Sequence, residues 1–97
     1  MPEKAGVSVG TTMWDSNENR LWFQVDHRGR SIPCCIDALC LYLAFGARTL
    51  SETDATDAYE ARRGWIHAAA IGKAGRGGFQ RSAERGQAFV HLTARDL

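Results

Sequence analysis

The chain has 97 residues, of which 44% are hydrophobic and 24% are charged, and this is the size and composition of a single globular domain. Its longest strongly apolar stretch, residues 34–45, is far shorter than the roughly 20 residues that a bilayer requires. The first 12 residues lack the apolar segment of a signal peptide. Three cysteines are an odd number and too few for a disulfide framework. We therefore expect a reduced, cytoplasmic protein that does not enter a membrane.

Charge is divided unevenly along the chain, although the net charge is only +1. Residues 1–60 contain 5 Lys or Arg and 9 Asp or Glu, a net of −4, whereas residues 61–97 contain 7 and 2, a net of +5. A basic half of this kind is typical of proteins that contact nucleic acid or an acidic partner. It also fits an ordinary solvated surface, so the charge pattern leaves both interpretations open.

The first predicted elements are an N-terminal arm and a strand. Residues 1–19 are assigned to a partly flexible arm, within which residues 15–19 are rich in turn-forming side chains and predict a loop. Residues 20–27 alternate apolar side chains with a mixed set, which predicts a strand with one apolar face. The apolar positions of this strand are Leu21, Phe23 and Val25.

A β-hairpin is predicted from the next segment. Gly29 favours a tight turn after the first strand, and residues 30–36 provide the return strand. Because Pro33 has no backbone N–H, we expect this strand to lie at a sheet edge or to interrupt its pairing at that residue.

Two helices follow in the sequence. Asp37 is a good N-cap for a short helix over residues 38–45, which Gly46 ends. This helix is apolar nearly all round, so we expect it to be largely buried. A second, long helix is predicted over residues 52–71, where apolar side chains recur on one stripe.

The C-terminal part is predicted to close the sheet. The Gly- and Arg-rich residues 72–86 form a mobile connection or one poor strand, and residues 87–93 alternate again as a strand. The order β-β-α-α-β predicts a single α+β domain over residues 20–97. In it, a small antiparallel sheet made of the hairpin and the C-terminal strand is packed on one face by a short and a long helix.

The same pattern resembles a family of small bacterial proteins known as domain of unknown function 1488. The resemblance covers residues 20–97, whereas residues 1–12 and the Gly-rich residues 73–78 are not expected features of that family. It implies an α+β fold and no established activity, and it assigns no functional residue. The residues that carry it are Leu21-Trp22-Phe23, Gly29, residues 32–36 with Cys34, Asp37-Ala38-Leu39, Phe45-Gly46, Phe89-Val90-His91-Leu92-Thr93 and Asp96-Leu97.

No pattern of catalytic or ligand residues stands out, and we expect no enzyme activity, no cofactor and no metal. We interpret Cys34, Cys35 and Cys40 as buried small hydrophobes. Two alternatives stay open: a zinc site that joins Cys40, one of the adjacent cysteines and a histidine, and a Cys–His pair assembled in space. Nucleotide binding is excluded at the glycines after the long helix, because their spacing fits neither phosphate-binding fingerprint. These glycines are Gly72, Gly75, Gly77 and Gly78.

Two surfaces remain as candidates for function. Trp22, Phe89 and His91 fall on the predicted outward side of the sheet and suggest a surface for an unknown protein partner. We therefore expect a non-enzymatic protein-interaction or regulatory module, although Trp14, Trp22 and Trp65 are also candidates for the core or its edge. The alternative is weak, non-specific nucleic-acid binding, in which Arg side chains contact phosphates and an aromatic ring stacks on bases. The residues for this alternative are Arg76, Phe79, Arg81 and Arg85.

Overall fold

The computed structural model describes residues 12–81 and 88–97. These residues form an α+β domain in which helices pack on a five-stranded sheet of order β1-β2-β3-β5-β4. The elements, in chain order, are β1 (Met13–Asp15), β2 (Arg20–His27), β3 (Arg30–Asp37), α1 (Ala38–Phe45), α2 (Glu52–Ala61), α3 (Arg63–Gly75), β4 (Gln80–Arg81), β5 (Ala88–Leu92) and a 3-10 turn (Ala94–Asp96). Within the described ranges, no helix has both the length and the apolarity to cross a membrane.

The sheet is mixed, so the prediction of an antiparallel sheet is only partly right. β5 runs parallel to β3, with Cys34 opposite Val90 and Ile36 opposite Leu92, whereas the other ladders are antiparallel. The physical reason is the helical connection between these strands, because a helical crossover returns the chain to the end of the sheet at which the first strand began.

The edge strand β1 was not predicted, since Met13–Asp15 was assigned to the arm. It pairs with β2, and a turn over residues 16–19 joins the two strands. The Asp15 carboxylate accepts hydrogen bonds from the backbone amides of Asn17 (3.0 Å) and Glu18 (3.2 Å), so the predicted loop is present. Residues 1–11 of the predicted arm, by contrast, lie outside the described residues.

The predicted hairpin is confirmed, and its apolar face forms the core. Leu21, Phe23 and Val25 are at most 4% exposed. Arg28 and Gly29 both have positive φ (56° and 77°), as the tight turn of a two-residue hairpin requires. β3 lies inside the sheet and not at its edge, but its ladder with β5 covers only Cys34, Cys35 and Ile36. The proline at position 33 is therefore left outside that ladder.

The predicted long helix is two helices, and the break lies at Arg62 (φ −120°, ψ 24°). Its start is confirmed, because the Ser51 hydroxyl accepts a hydrogen bond from the Asp54 amide at 3.3 Å. The predicted end is wrong: α3 continues through Gly72 to Gly75. A glycine inside a helix costs only about 1 kcal/mol relative to alanine, so a single glycine does not end a helix that tertiary packing supports. The predicted apolar stripe is fully buried and consists of Ala55, Tyr59, Ile66 and Ala70.

Candidate functional site

The three residues predicted to form a partner surface lie together on the sheet face opposite the helices. The strand register aligns Trp22 on β2 with Cys35 on β3 and His91 on β5. The rings of Trp22 and Phe89 meet edge to face, with centroids 5.2 Å apart. Phe89 is only 8% exposed, and Trp22 and His91 are half-buried. These residues therefore form a packed aromatic cluster that offers a partner little free apolar surface.

A polar network lies where the carboxyl ends of the parallel strands β3 and β5 meet. Asp37 lies at the predicted N-cap position of α1, but its side chain makes no capping hydrogen bond. Its carboxylate contacts the His91 Nε2 atom at 3.1 Å and forms an ion pair with the Arg20 Nε atom at 3.4 Å. The Lys73 ammonium donates to the His91 carbonyl and to the Asp96 carboxylate, both at 2.8 Å. Sequence reasoning missed these pairings, because they follow from the parallel strand order.

Cys35, His91 and Asp37 have the residue types of a Cys–His–Asp catalytic triad, but they lack its reactive thiolate. Cys35 lies beside His91 in the strand register, and His91 contacts Asp37. Cys35 is fully buried, however, and this burial raises the pKa of its thiol to about 12. The nucleophile in cysteine chemistry is the thiolate, so this arrangement does not supply a reactive sulfur at neutral pH.

The other two thiols are also buried. Burial raises the pKa of Cys34 to about 12 and that of Cys40 to about 11. Among the described residues, no group of three or more His, Cys, Asp or Glu side chains is placed to hold a metal ion. All three cysteines are buried, as the interpretation of them as small apolar side chains predicts.

We expect these thiols to resist modification in the folded protein. At pH 8, Ellman's reagent should label almost none of the three cysteines within minutes, because the thiols are buried and protonated. The same reagent in denaturant should label all three and provides the control. Rapid labelling of even one thiol in the folded protein would contradict this assignment.

The residues predicted to contact nucleic acid lie just after α3 and in β4, except that Arg85 lies outside the described residues. Phe79 is 43% exposed, Arg76 is the C-cap residue of α3, and Arg81 belongs to β4. Phe79 also lines a cavity of about 570 Å³. Two residues that sequence reasoning did not select, Arg28 and Arg30 at the hairpin turn, line the same cavity. Arg28 and Arg30 therefore add positive charge to this end of the fold, although they belong to residues 1–60, whose net charge is negative.

Helix α1 departs most clearly from its prediction, because it is not largely buried. Ala38, Cys40 and Leu41 do face the core. On the outward side, three large apolar residues are exposed to solvent, and we name them the α1 stripe. They are Leu39 (53% exposed), Tyr42 (45%) and Leu43 (67%). Their spacing of i, i+3 and i+4 places them on one side of the helix, where a surface helix normally carries polar side chains.

Further apolar side chains lie beside the α1 stripe. Phe45, one turn after Tyr42, packs edge to face on Trp65 with ring centroids 5.8 Å apart. Trp65 on α3 was predicted to lie in the core or at its edge, but it is 57% exposed. The stripe and Trp65 are four large side chains, each at least 45% exposed, and we call them together the apolar patch. Exposed apolar side chains grouped in this way mark a candidate interaction surface.

These features define a small α+β domain with a mixed sheet, a covered aromatic cluster and an exposed apolar patch. The chain matches the family of proteins of unknown function DUF1488 over residues 10–84, and it belongs to that family. The match includes the Gly-rich residues 73–78, which the resemblance had not led us to expect, and it ends before β5.

The fold is also found in a solved structure. A crystal structure of a protein of unknown function from the DUF1488 family of Shewanella loihica PV-4 is similar to this chain with a TM-score of 0.68 and 18% identity. The similarity covers 84% of this chain and 85% of that chain. At this identity the similarity supports the fold alone. No curated protein matches the chain significantly.

Proposed function

We propose that this chain is a non-enzymatic, cytoplasmic protein-interaction module, and that it contacts its partner through the α1 stripe. The observation that carries the proposal is the exposure of Leu39, Tyr42 and Leu43 on one side of a helix that has no charged residue. A partner that covers such a stripe would gain about 25 cal/mol of binding free energy for each Å² of apolar surface removed from water. Contiguous exposed patches of this kind are typical of protein–protein contact sites.

The composition of the patch supports the same function. Aromatic residues are enriched in the central parts of protein interfaces, and charged residues are depleted there. The patch contains Tyr42 and Trp65, and these residue types dominate binding energy in many interfaces. The aromatic cluster of Trp22, Phe89 and His91 supports this role less, because Phe89 is already buried within the domain.

Site-specific photo-crosslinking tests the proposal. A photoreactive amino acid in place of Leu43 should give covalent adducts with a polypeptide in the cells that produce this protein, and a second copy of the chain counts as a polypeptide. The matched control carries the same photoreactive group in place of Phe79, which is also partly exposed. Phe79 follows the C-terminal end of α3, whereas Trp65, beside the α1 stripe, lies near the N-terminal end of that helix. Adding Leu39→Asp to the Leu43 probe should abolish the adducts. Equal adduct yields at both positions, or none at position 43, would exclude the α1 stripe as the interaction surface.

The alternative function is weak, non-specific nucleic-acid binding, and one specific observation favours it. Arg28 and Arg30 line the same cavity as Phe79, whose side chain is 43% exposed, so two arginines and an aromatic residue border one cavity. Such a combination suits single strands, because arginine contacts phosphates and the ring stacks on any base.

Titration of labelled single- and double-stranded DNA at two salt concentrations tests this alternative. Nucleic-acid binding through this end predicts weak affinity that falls steeply with salt as counterions are released. It also predicts weaker binding in Arg28→Ala/Arg30→Ala and loss of binding in Arg76→Ala/Arg81→Ala/Arg85→Ala. Leu43→Asp, which changes only the α1 stripe, is the control and should bind as the parent does. An absence of binding at low salt would rule out this function.

A further inference from the structure

We propose that the cavity beside the turn between β2 and β3 binds a small molecule in which a phosphate or carboxylate is attached to an apolar ring. We name it the hairpin cavity; it has a volume of about 570 Å³, and Arg28, Arg30, Ile32, Ala74 and Phe79 are among the residues that line it. Small-molecule sites typically have volumes of roughly 300–1,000 Å³. The site goes beyond the proposed function and is independent of it, because no residue of the α1 stripe lines the cavity.

The hairpin cavity forms where the sheet opens between β3 and β5. The ladder between these strands covers only residues 34–36, so the first half of β3 has no partner strand on that side among the described residues. Pro33 contributes to the opening, because it has no N–H with which to extend the ladder. The C-terminal end of α3 borders the opening, since Ala74 and Gly75 line the cavity.

The charged side chains that line the cavity are all cationic or titratable to a cation. Arg28, Arg30 and His27 line it, and none of its lining residues is Asp or Glu. Within residues 12–81 and 88–97, neither arginine forms an ion pair. Guanidinium groups match the geometry of phosphate and carboxylate oxygens. An anion bound in the cavity would therefore supply the partner that these two arginines lack there.

Apolar side chains form much of the remaining wall. Ile32 and Ala74 are 9% and 7% exposed, so the cavity reaches side chains that belong to the core. Phe79 is 43% exposed and retains surface that a ligand ring can cover. Small-ligand sites combine apolar walls with a few polar groups that fix orientation. The cavity therefore suits a ligand with an apolar body as well as an anionic group.

The end of α3 opposes an anion less than a bare helix end would. The last carbonyl groups of a helix carry partial negative charge. In α3, however, the Lys73 carbonyl accepts a hydrogen bond from the Gly78 amide at 2.8 Å, and the Ala74 carbonyl accepts one from the Gly77 amide at 3.0 Å. Because these carbonyls are already bonded, the arginines and not the helix end set the sign of the charge at the cavity.

The backbone of Arg28 is an independent reason to assign a role to its side chain. Its φ is 56°, a conformation that glycine and asparagine adopt readily and other residues adopt rarely. Asparagine followed by glycine is the preferred sequence of a two-residue hairpin turn, so an arginine before Gly29 does not serve the turn itself. Residues in such unfavourable conformations cluster at ligand-binding and active sites.

Titration of the isotope-labelled full chain with naphthyl phosphate, followed by the NMR shifts of its backbone amides, tests the inference. We expect a Kd of about 0.5 mM or tighter, which is the affinity that about 15 non-hydrogen atoms normally provide. The amides of Ala74, Gly75 and Phe79 should shift together with those of the hairpin turn, because the ring enters the cavity, whereas the amides of α1 should not shift.

Related compounds show which parts of the ligand are recognised. Inorganic phosphate and the neutral compound naphthol should each bind at least about 10-fold more weakly, because each supplies only one of the two recognised groups. Naphthoate carries the same ring with a carboxylate. Tighter binding of either naphthoate or naphthyl phosphate supports the site and identifies the preferred anion.

Arg28→Asn separates ligand binding from stability. It should raise the Kd for naphthyl phosphate at least about 5-fold, yet the variant should melt at or above the parent temperature, because the turn then has its preferred asparagine–glycine pair. Arg28→Asn/Arg30→Gln should weaken binding at least about 10-fold. Arg48→Gln/Arg95→Gln is the matched control: it removes the same charge from two exposed arginines outside the cavity and should bind as the parent does.

The possible outcomes separate this site from both functions proposed above. No binding of naphthyl phosphate and naphthoate at about 5 mM, equal binding of naphthol, or equal losses in the two double variants would overturn the inference. Binding of a thymidine oligonucleotide that leaves the Ala74 amide unshifted, together with no binding of the naphthyl compounds, would overturn it in favour of nucleic-acid binding. Photo-crosslinking at position 43 does not involve the cavity, so the α1 stripe remains a candidate whichever result is obtained.

Discussion

Leu41→Ala should lower the free energy of unfolding by about 3 kcal/mol, whereas Leu43→Ala on the same helix should change it by less than about 0.5 kcal/mol. Leu41 is fully buried and Leu43 is 67% exposed. Truncating the first residue therefore removes buried methyl groups and leaves a cavity, while truncating the second removes atoms that already contact water. Urea denaturation of dilute protein measures both values, and dilution keeps any dimer from contributing to stability.

This pair of variants distinguishes the two views of α1. The two substitutions have the same chemistry and the same helix propensity change, so each variant is the matched control for the other. A helix buried on all sides would lose several kcal/mol in both cases. Equal, large losses would show that the α1 stripe belongs to the core and would remove the basis of the proposed interaction surface.

Asp96→Ala should destabilise the folded chain by about 2 kcal/mol at pH 7, because removing the partner of a shielded polar or charged group typically costs roughly 1–3 kcal/mol in total. The Asp96 Oδ2 atom accepts hydrogen bonds from the Lys73 ammonium (2.8 Å), the Thr93 amide (2.8 Å) and the Thr93 hydroxyl (3.1 Å). The ion pair is well shielded, since the side chains of Lys73 and Asp96 are 20% and 12% exposed. Removal of the carboxylate also leaves the lysine ammonium without its ion pair. Thermal unfolding followed by circular dichroism measures the loss.

The same contact should make stability depend on pH. Burial alone would raise the pKa of Asp96, but the hydrogen bond from Lys73, the Thr93 amide and the lysine charge outweigh it and lower the pKa. A carboxyl with a lowered pKa contributes stability that is fully present above its unfolded value of about 4 and is lost as the pH falls through the folded value. Asp96→Asn cannot titrate and is the matched control. The stability gap between the parent and Asp96→Asn should therefore narrow below about pH 4, and a gap that stays constant down to pH 2 would contradict this assignment.

Sequence reasoning located the elements whose patterns are local. The alternation in β2 and the stripe of α2 and α3 identified buried residues correctly, because one periodic face carries apolar side chains and the other face does not. The end of α1 at Gly46 was also predicted, because glycine adopts the left-handed conformation that ends many helices without strain. Gly46 does have a positive φ of 73°.

The features that were missed depend on tertiary structure. The outward side of α1 could not be recognised, because both sides of this helix are apolar and no polar residue marks the solvent. The direction of β5 could not be predicted from its alternating side chains, because parallel and antiparallel strands show the same alternation. The contact between Asp37 and His91 joins residues 54 positions apart, and it exists only because the two strands run parallel. The candidate interaction surface therefore became visible only when the fold was known.

Hydroxyl-radical footprinting, in living cells and in dilute purified protein, measures whether a partner covers the α1 stripe. We expect Leu39, Tyr42 and Leu43 to be oxidised readily in the dilute protein and to be protected several-fold in cells, where a partner covers them. Phe79, which lies away from the stripe, should be oxidised to the same relative extent in both samples and serves as the internal reference. Equal oxidation of the stripe in cells and in dilute solution would show that no partner covers it and that the α1 stripe is not an interaction surface.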